Sequence, residues 1–240
     1  MKQMLGLATA LHVLHTHFQC RHGDIKPDNI LCLTEDNQIV LKIADFGISR
    51  IHHAQTIYRK SATTSFMLTP SYQGPEVEFE NADENAPRPR SRRYDIWSLG
   101  CVFLEFSIWL LHGPKAIEEF AQARGRYGTL KSNTSVPLYE VTDKGAKAAV
   151  VHQLVSWTIE CLENDPRCKG ETALAELLRM IKNRMLQPEV ENRAVAEEIG
   201  QQLEKIVNQA ERNGSYLFHP CDESRVPPLD FDLFQPTLNH

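Results

Sequence analysis

The six cysteines, at 20, 32, 101, 161, 168 and 221, form no C-x-x-C pair. Zinc ribbons and disulfide frameworks are thereby excluded, and the simplest reading is reduced thiols in the cytosol or nucleus. The most apolar run, Trp97 to Leu111, falls short of the roughly 20 residues a bilayer requires and carries Glu105 in its interior, so it reads as a buried helix and no membrane partner is expected. Secretion is not expected. Met1 to Phe18 spreads leucines at 5, 7, 11 and 14 among polar residues, the spacing of an amphipathic helix. Neither charge dominates: 26 Lys+Arg against 31 Asp+Glu give a formal charge of −5, which offers nucleic acid no support. No internal repeat is visible. What remains is a 240-residue chain with 42% hydrophobic and 24% charged residues, enough apolar surface for one core or two small ones and too much for a disordered chain.

The helical spacing of Leu7, Leu11 and Leu14 stops at the polar loop that begins His22-Gly23-Asp24 and contains Pro27. Ile30 to Leu33 and Ile39 to Ala44 then predict two strands about a turn at Glu35-Asp36-Asn37, a hairpin. Residues 47 to 93 show no durable periodicity and are rich in Ser, Thr, Arg and Pro, the composition of a long functional or disordered loop. From Asp95, which can cap a first turn, the pattern is helical: through the apolar run to a stop at Gly113-Pro114, then Ile117 to Arg124, Ala146 to Leu162, Ala173 to Met185 and Ala194 to Arg212. Asn213-Gly214 closes the last helix, and the Pro-rich, acidic stretch beyond it predicts a loosely ordered tail over 213–240.

Four motifs carry chemistry. His22-Gly23-Asp24-Ile25-Lys26-Pro27-Asp28-Asn29 is followed, sixteen residues after Asn29, by Asp45-Phe46-Gly47. Thr69-Pro70-Ser71-Tyr72-Gln73-Gly74-Pro75-Glu76 comes next, and then Tyr94-Asp95-Ile96-Trp97-Ser98-Leu99-Gly100. In this order they resemble the catalytic loop, magnesium motif, activation-segment end and central helix of the eukaryotic protein kinase family, serine/threonine type. The resemblance implies a protein-kinase-like fold, mainly α with a small β-hairpin, in which residues 1–212 form the large helical C-terminal lobe of the domain. It also implies a protein serine/threonine kinase, using ATP and Mg2+ to phosphorylate hydroxyls of a protein substrate.

By that resemblance Asp24 accepts or orients the proton of the attacking hydroxyl, and Lys26 reaches the transferring phosphate. Asn29 and Asp45 supply hard oxygen ligands of the kind magnesium takes. Leu31 matches the apolar floor under adenine, and His22 a packed structural residue beneath Phe46. Phosphoryl transfer asks mainly for positioning and electrostatic stabilisation, which such a constellation provides. A zinc site at His12, His15 and His17 is set aside, because only the 12/15 pair shares a helix face and no Cys, Asp or Glu adjoins it.

Departures from the family pattern carry expectations of their own. Gly23 stands where the family most often has arginine, which removes the usual electrostatic reason for gating by phosphorylation at Ser61, Thr63, Thr64 or Ser65. Glu76 should be buried and needs a cation. Arg193, with the spacing Met185-Leu186 to Asn192-Arg193-Ala194, is expected over the superficially similar Asp165-Pro166-Arg167-Cys168-Lys169, which leaves 115–184 as an enlarged helical insert. The cluster Arg88, Arg90, Arg92, Arg93 reads as a solvated loop. The chain starts on the helix before the catalytic loop, with no Gly-rich phosphate loop, strand lysine or helix glutamate ahead of it. The expectation is therefore a truncated catalytic lobe, inactive alone, whose uncovered apolar surface invites association. The alternative is a non-catalytic, pseudokinase-like binding module.

Overall fold

A computed structural model describes residues 1–45, 50–51, 70–80, 91–127, 136–221 and 226–236. Helix α1 (Lys2–Thr16) buries Met4, Leu7, Ala8, Leu11 and His15, a stripe at spacings of three and four that packs against the C-terminal helix and the first hairpin. Its end leads to β1 (Cys20–Arg21) and to the loop, where Ile25 is driven into the core. Strands β2 (Ile30–Glu35) and β3 (Gln38–Ile43) form the expected hairpin. Its turn residues Asp36 and Asn37 have φ of 49° and 60°, the left-handed pair that a two-residue loop matched to strand twist demands. Strand β4 (Arg50–Ile51) returns antiparallel to β1.

After α2 (Val77–Glu80), helix α3 (Arg93–His112) runs through the centre and is buried on nearly every side. At 20 residues it is long and apolar enough to cross a membrane by length and composition, so length does not exclude it as the sequence run suggested. In its most apolar window 78% lies buried inside the fold. Gly113, at φ 81°, ends α3, and Pro114 opens α4 (Pro114–Tyr127), where its missing N–H costs nothing.

The stretch 146–162, expected to be helical, is a turn, a strand and a helix. Strands β5 (Tyr139–Asp143) and β6 (Ala148–Val151) pair antiparallel, and α5 (Gln153–Asn164) starts only after His152. The reason is local. Asp143 Oδ1 accepts the N–H groups of Gly145 and Ala146, Lys147 takes φ 55°, and the β-branched Val150 and Val151 pair across to Glu140 and Tyr139. The insert is thus not purely helical. Helix α6 (Ala173–Met180) winds into a wide turn, Ile181–Met185, that lies against α3. Gly100 permits that approach, since a Cβ there would sit 2.9 Å from that of Met185. Helix α7 (Ala196–Arg212) completes the layer and packs on α1.

The expected loose tail also differs. Leu229, Phe231 and Phe234 are buried in the main core, with Phe231 stacked near Phe120 and Trp157, and Phe234 near Tyr127 and Trp157. Three large apolar side chains within six residues outweigh the Pro-rich composition.

Arg193 is the partner of Glu76. Its Nη1 and Nη2 donate to the two carboxylate oxygens at 2.7 and 2.8 Å, and its remaining donors reach the carbonyls of Gln187, Pro188 and Arg93. The guanidinium also lies 5.1 Å from the Trp97 ring centroid. Arg167 is spent elsewhere, in a two-pronged pair with Asp165 at 2.9 and 2.6 Å.

Two predictions follow from this packing. Arg193→Ala should cost about 3 kcal/mol because it removes a fully buried guanidinium and strands the partly buried Glu76 carboxylate, and Lys169→Ala less than about 1 kcal/mol; thermal melts showing the reverse order would overturn the pairing. His152 is buried, and its Nδ1 accepts the Leu154 N–H, a bond only the neutral ring can make. Burial first, then Arg124, pull its pKa down to about 4. The unfolded chain, with its histidine near about 6.5, therefore binds the proton first. Stability should be complete above that value and fall as pH drops from about 6.5 toward 4, a slope that urea titrations should find flattened in His152→Asn.

Candidate functional site

A buried carboxylate organises the loop. Asp95 has no solvent exposure and does not cap α3, which already begins at Arg93. Its Oδ2 accepts the His22 N–H at 2.8 Å and faces His15 Nε2 at 2.8 Å, while its Oδ1 accepts the Gly23 N–H at 2.8 Å. Gly23 takes φ 86°, a region open to glycine and strained for the arginine expected of the family, so two consecutive amides can turn toward one acceptor. His22 is fully buried, as expected of a structural residue. Its Nδ1 accepts from the Asp24 N–H at 3.3 Å, so its Nε2 carries the proton and donates to the Ala44 carbonyl at 3.0 Å. One imidazole thereby ties the loop to the end of β3.

The structure brings Asp24, Lys26 and Asn29 together. Lys26 Nζ lies 3.0 Å from Asp24 Oδ2, and Asn29 Nδ2 donates to the Asp24 carbonyl at 2.8 Å and to its Oδ2 at 2.9 Å. Pro27–Asn29 forms a single tight turn closed by the Asn29 N–H on the Lys26 carbonyl, which swings Asn29 back under Asp24. The Ala44 N–H then donates to the Asn29 carbonyl at 2.8 Å, extending the β2–β3 pairing by one step. Asp45, exposed and at φ 60°, is the next residue. The hairpin register therefore sets the backbone of Asp45 next to the Asn29–Ala44 pair. Phe46 and Gly47, and the loop positions 61–65, 69, 88 and 90, lie outside the described residues.

The donor set suits a hard cation. Both amide hydrogens of Asn29 are committed to Asp24, which leaves its Oδ1 as the atom free to ligate, and Asp45 adds one exposed carboxylate. An amide oxygen and a carboxylate are what magnesium accepts when phosphate oxygens and water complete its shell. Leu31 is 47% exposed on the outer face of the hairpin, together with Leu33 at 37%. An apolar ligand face could rest there.

Sequence reasoning missed a second polar cluster. Tyr72 donates its hydroxyl to Glu105 Oε2 at 2.8 Å, and the Ser98 hydroxyl donates to the Tyr72 carbonyl at 2.8 Å. Burial raises the Glu105 pKa, opposed by the Tyr72 bond and by Arg124, whose guanidinium stacks 4.2 Å from the Phe120 ring centroid. The signal was legible as a charge inside an apolar run, which demands a partner. Tyr139, from β5, donates to Glu78 at 3.1 Å and so props the segment that follows Glu76.

A family model described as a protein kinase domain matches residues 1–203. Among individual proteins, the chain is 38% identical over 102 residues to the serine/threonine-protein kinase chk-2 of Caenorhabditis elegans, which is 42% of this chain and 19% of that protein. It is 32% identical over 112 residues to the ovarian-specific serine/threonine-protein kinase Lok of Drosophila melanogaster, 45% of this chain and 22% of that protein. Over 201 residues, 79% of this chain, it is 29% identical to mitogen-activated protein kinase kinase kinase 5 of Mus musculus, of which this is 13%. The chain spans a third or less of the length of the curated relatives it matches.

Asp95→Ala should strand two buried amides and the His15 ring. A stability loss of about 3 kcal/mol or more is expected, with selective loss of hydrogen-exchange protection at His22 and Gly23. Unchanged protection at those two amides would show that Asp95 does not hold the loop.

Proposed function

The chain belongs to the protein kinase domain family, and from that premise we propose that it carries the catalytic loop and substrate-binding segment of a serine/threonine protein kinase. The reaction is transfer of the γ-phosphoryl group of ATP to hydroxyls of a protein substrate. The observation that carries this reading is the contact of Asp24 with both Lys26 and Asn29, on a loop anchored by Asp95 and tied through Asn29 and Ala44 to the residue before Asp45.

Each side chain has a task set by its chemistry. Asp24 is the acceptor for the proton of the attacking hydroxyl, and its two donors keep the carboxylate aimed. Lys26, on the same oxygen, offers its ammonium to the phosphoryl group as charge develops there. Asn29 Oδ1 and Asp45 would hold magnesium, which when bound neutralises phosphate charge. Leu31 would support the adenine. The segment Pro70–Tyr72, held by Ser98 and Glu105, would receive the substrate peptide. The setting in this proposal is the cytosol or nucleus, where thiols without a C-x-x-C pairing pattern stay reduced.

The 240 residues contain no G-x-G-x-x-G loop to cover the phosphates. Losing a single preorganised donor costs about 10²–10³ in rate, so the chain alone is catalytically inert in this proposal. Incubated with Mg-ATP and a serine/threonine peptide library, it should give no more phosphate transfer than Asp24→Asn. Fusion to a small lobe bearing that loop and a strand lysine should restore transfer that Asp24→Asn abolishes. A folded fusion without transfer would favour the binding-module reading instead, and strong Asp24-dependent activity of the chain alone would refute the need for a covering lobe.

A further inference from the structure

Two features of the sequence that phosphoryl transfer leaves unused meet in one place: the His12/His15 pair and the arginine cluster before α3. His12 and His15 stand one turn apart on α1. Arg92 and Arg93, where α3 begins, line the same cavity of about 210 Å³, which also borders Ile96 and the start of α7 at Ala196 and Glu197. Among the described residues no three His, Cys, Asp or Glu side chains converge as metal ligands. Two guanidinium groups at the cavity would moreover repel a metal cation, so the histidines here belong to a site of the opposite kind.

The donors there are largely unspent. Arg92 is exposed, and its side chain makes no hydrogen bond or ion pair among the described residues. Arg93 commits Nη1 to the carbonyl and carboxylate of Glu191, at 3.0 and 2.9 Å, which leaves Nε and Nη2. His15 is 6% exposed. Its Nε2 donates to Asp95 Oδ2 at 2.8 Å, on a carboxylate that otherwise only accepts. Its Nδ1 has no hydrogen-bond partner and is not sealed from solvent, so this ring atom opens on the cavity. A polar atom left open on a side chain so deeply buried calls for something to fill it. The Val195 N–H at the start of α7 is already taken by Glu198 Oε2 at 3.1 Å, so the positive charge facing the cavity is that of the side chains. Glu197, exposed, is the one acid in the lining.

We propose that this cavity binds a phosphate group, either inorganic phosphate or the monoester of a phosphorylated side chain. Arg92 and the remaining donors of Arg93 hold its oxygens from α3, since guanidinium forks match phosphate in two-pronged contacts. The histidine pair holds it from α1. The oxygen beside His15 shares one proton with Nδ1. Either the P–OH of the monoanion donates to the ring lone pair, or the doubly protonated ring donates to the dianion, and the complex carries the same proton in both forms. A carboxylate, with one charge and two coplanar oxygens, satisfies fewer of these donors. A whole nucleotide is too large, because sites that enclose organic ligands of that size run to roughly 300–1,000 Å³.

The test titrates inorganic phosphate, acetyl-phosphoserine-N-methylamide and acetate into the full 240-residue chain near neutral pH, followed by NMR of backbone amides and of arginine and imidazole nitrogens. Saturable shifts are expected at Arg92, His12 and the Nδ1 of His15, with a Kd for the better phosphate form of about 1 mM or tighter and acetate about tenfold weaker or more. Whichever phosphate form binds better identifies the source. Arg92→Ala removes an exposed side chain that has no partner, so it should leave the melting temperature unchanged and weaken phosphate about tenfold or more. Glu197→Gln should tighten it about two- to fivefold, the scale of an exposed charge pair. Shifts that grow linearly without saturating would overturn the proposal, as would acetate binding as tightly as phosphate. Undiminished affinity in Arg92→Ala, no gain in Glu197→Gln, or a His15 Nδ1 that phosphate leaves unmoved would each overturn it too.

Discussion

A carboxylate sealed from water at the centre of a protein must find donors, and Asp95 finds them in the loop that carries Asp24. Its two oxygens gather the His22 and Gly23 amides and the His15 ring, each at 2.8 Å. Because ionised acceptors make the stronger hydrogen bonds and desolvation makes their loss costly, the loop has one conformation that satisfies α3 and few others that do. The residues that follow in the loop inherit that constraint. Asp24 is one residue beyond the clamped amides, and His22, locked in one tautomer by the Asp24 N–H and the Ala44 carbonyl, joins the loop to β3.

The hairpin supplies the second constraint. Its two-residue turn sets Glu35 opposite Gln38, and the register then runs without interruption to Ile30 opposite Ile43. The next step pairs Asn29 with Ala44 and leaves Asp45 beside them. A slip of one residue would turn Ile30, Leu41 and Ile43 out of the core and carry Asp45 away from Asn29 at the same time. Folding of the apolar face and assembly of the polar site are thus a single event. Gln3 contributes by covering part of the β3 edge where slippage or stray pairing would begin.

How much of this was legible in the sequence depended on whether the signal was local or paired. The β2–β3 hairpin announced itself by alternation on either side of Asp36-Asn37. The Glu76–Arg193 pair could be inferred across 117 residues because a buried acid requires a cation and only one arginine sat at the start of a suitable helix. By contrast, β6 was read as helix, since Ala146, Ala148 and Ala149 outweighed Val150-Val151 until the Asp143 turn was seen to reverse the chain. The burial of 229–234 was hidden because proline and acidic residues dominate its composition, whereas the aromatic cage of Phe120, Tyr127 and Trp157 decides its energetics. Asp95 looked like a cap. Its true donors lie 72 to 80 residues away, a distance over which spacing says nothing.

Helix α3 shows why those long-range bonds belong together. Ser98 and Glu105 lie three and ten residues after Asp95, so at about 100° per residue the three fall within an arc of roughly 80° on one side of the helix. On this stripe Asp95 holds the loop bearing Asp24, Ser98 the Tyr72 carbonyl, and Glu105 the Tyr72 hydroxyl. The rest of the circumference, with Trp97, Leu99, Phe103, Leu104 and Ile108, is buried in the apolar core. Core packing therefore sets the rotation and height of one rigid rod, and the rod's polar stripe sets the separation between the loop bearing Asp24 and the segment bearing Tyr72. A change in the core that rotates α3 must move both or break the bonds to one. Coordination of loop and segment thus rests on the side of the helix that never meets either of them.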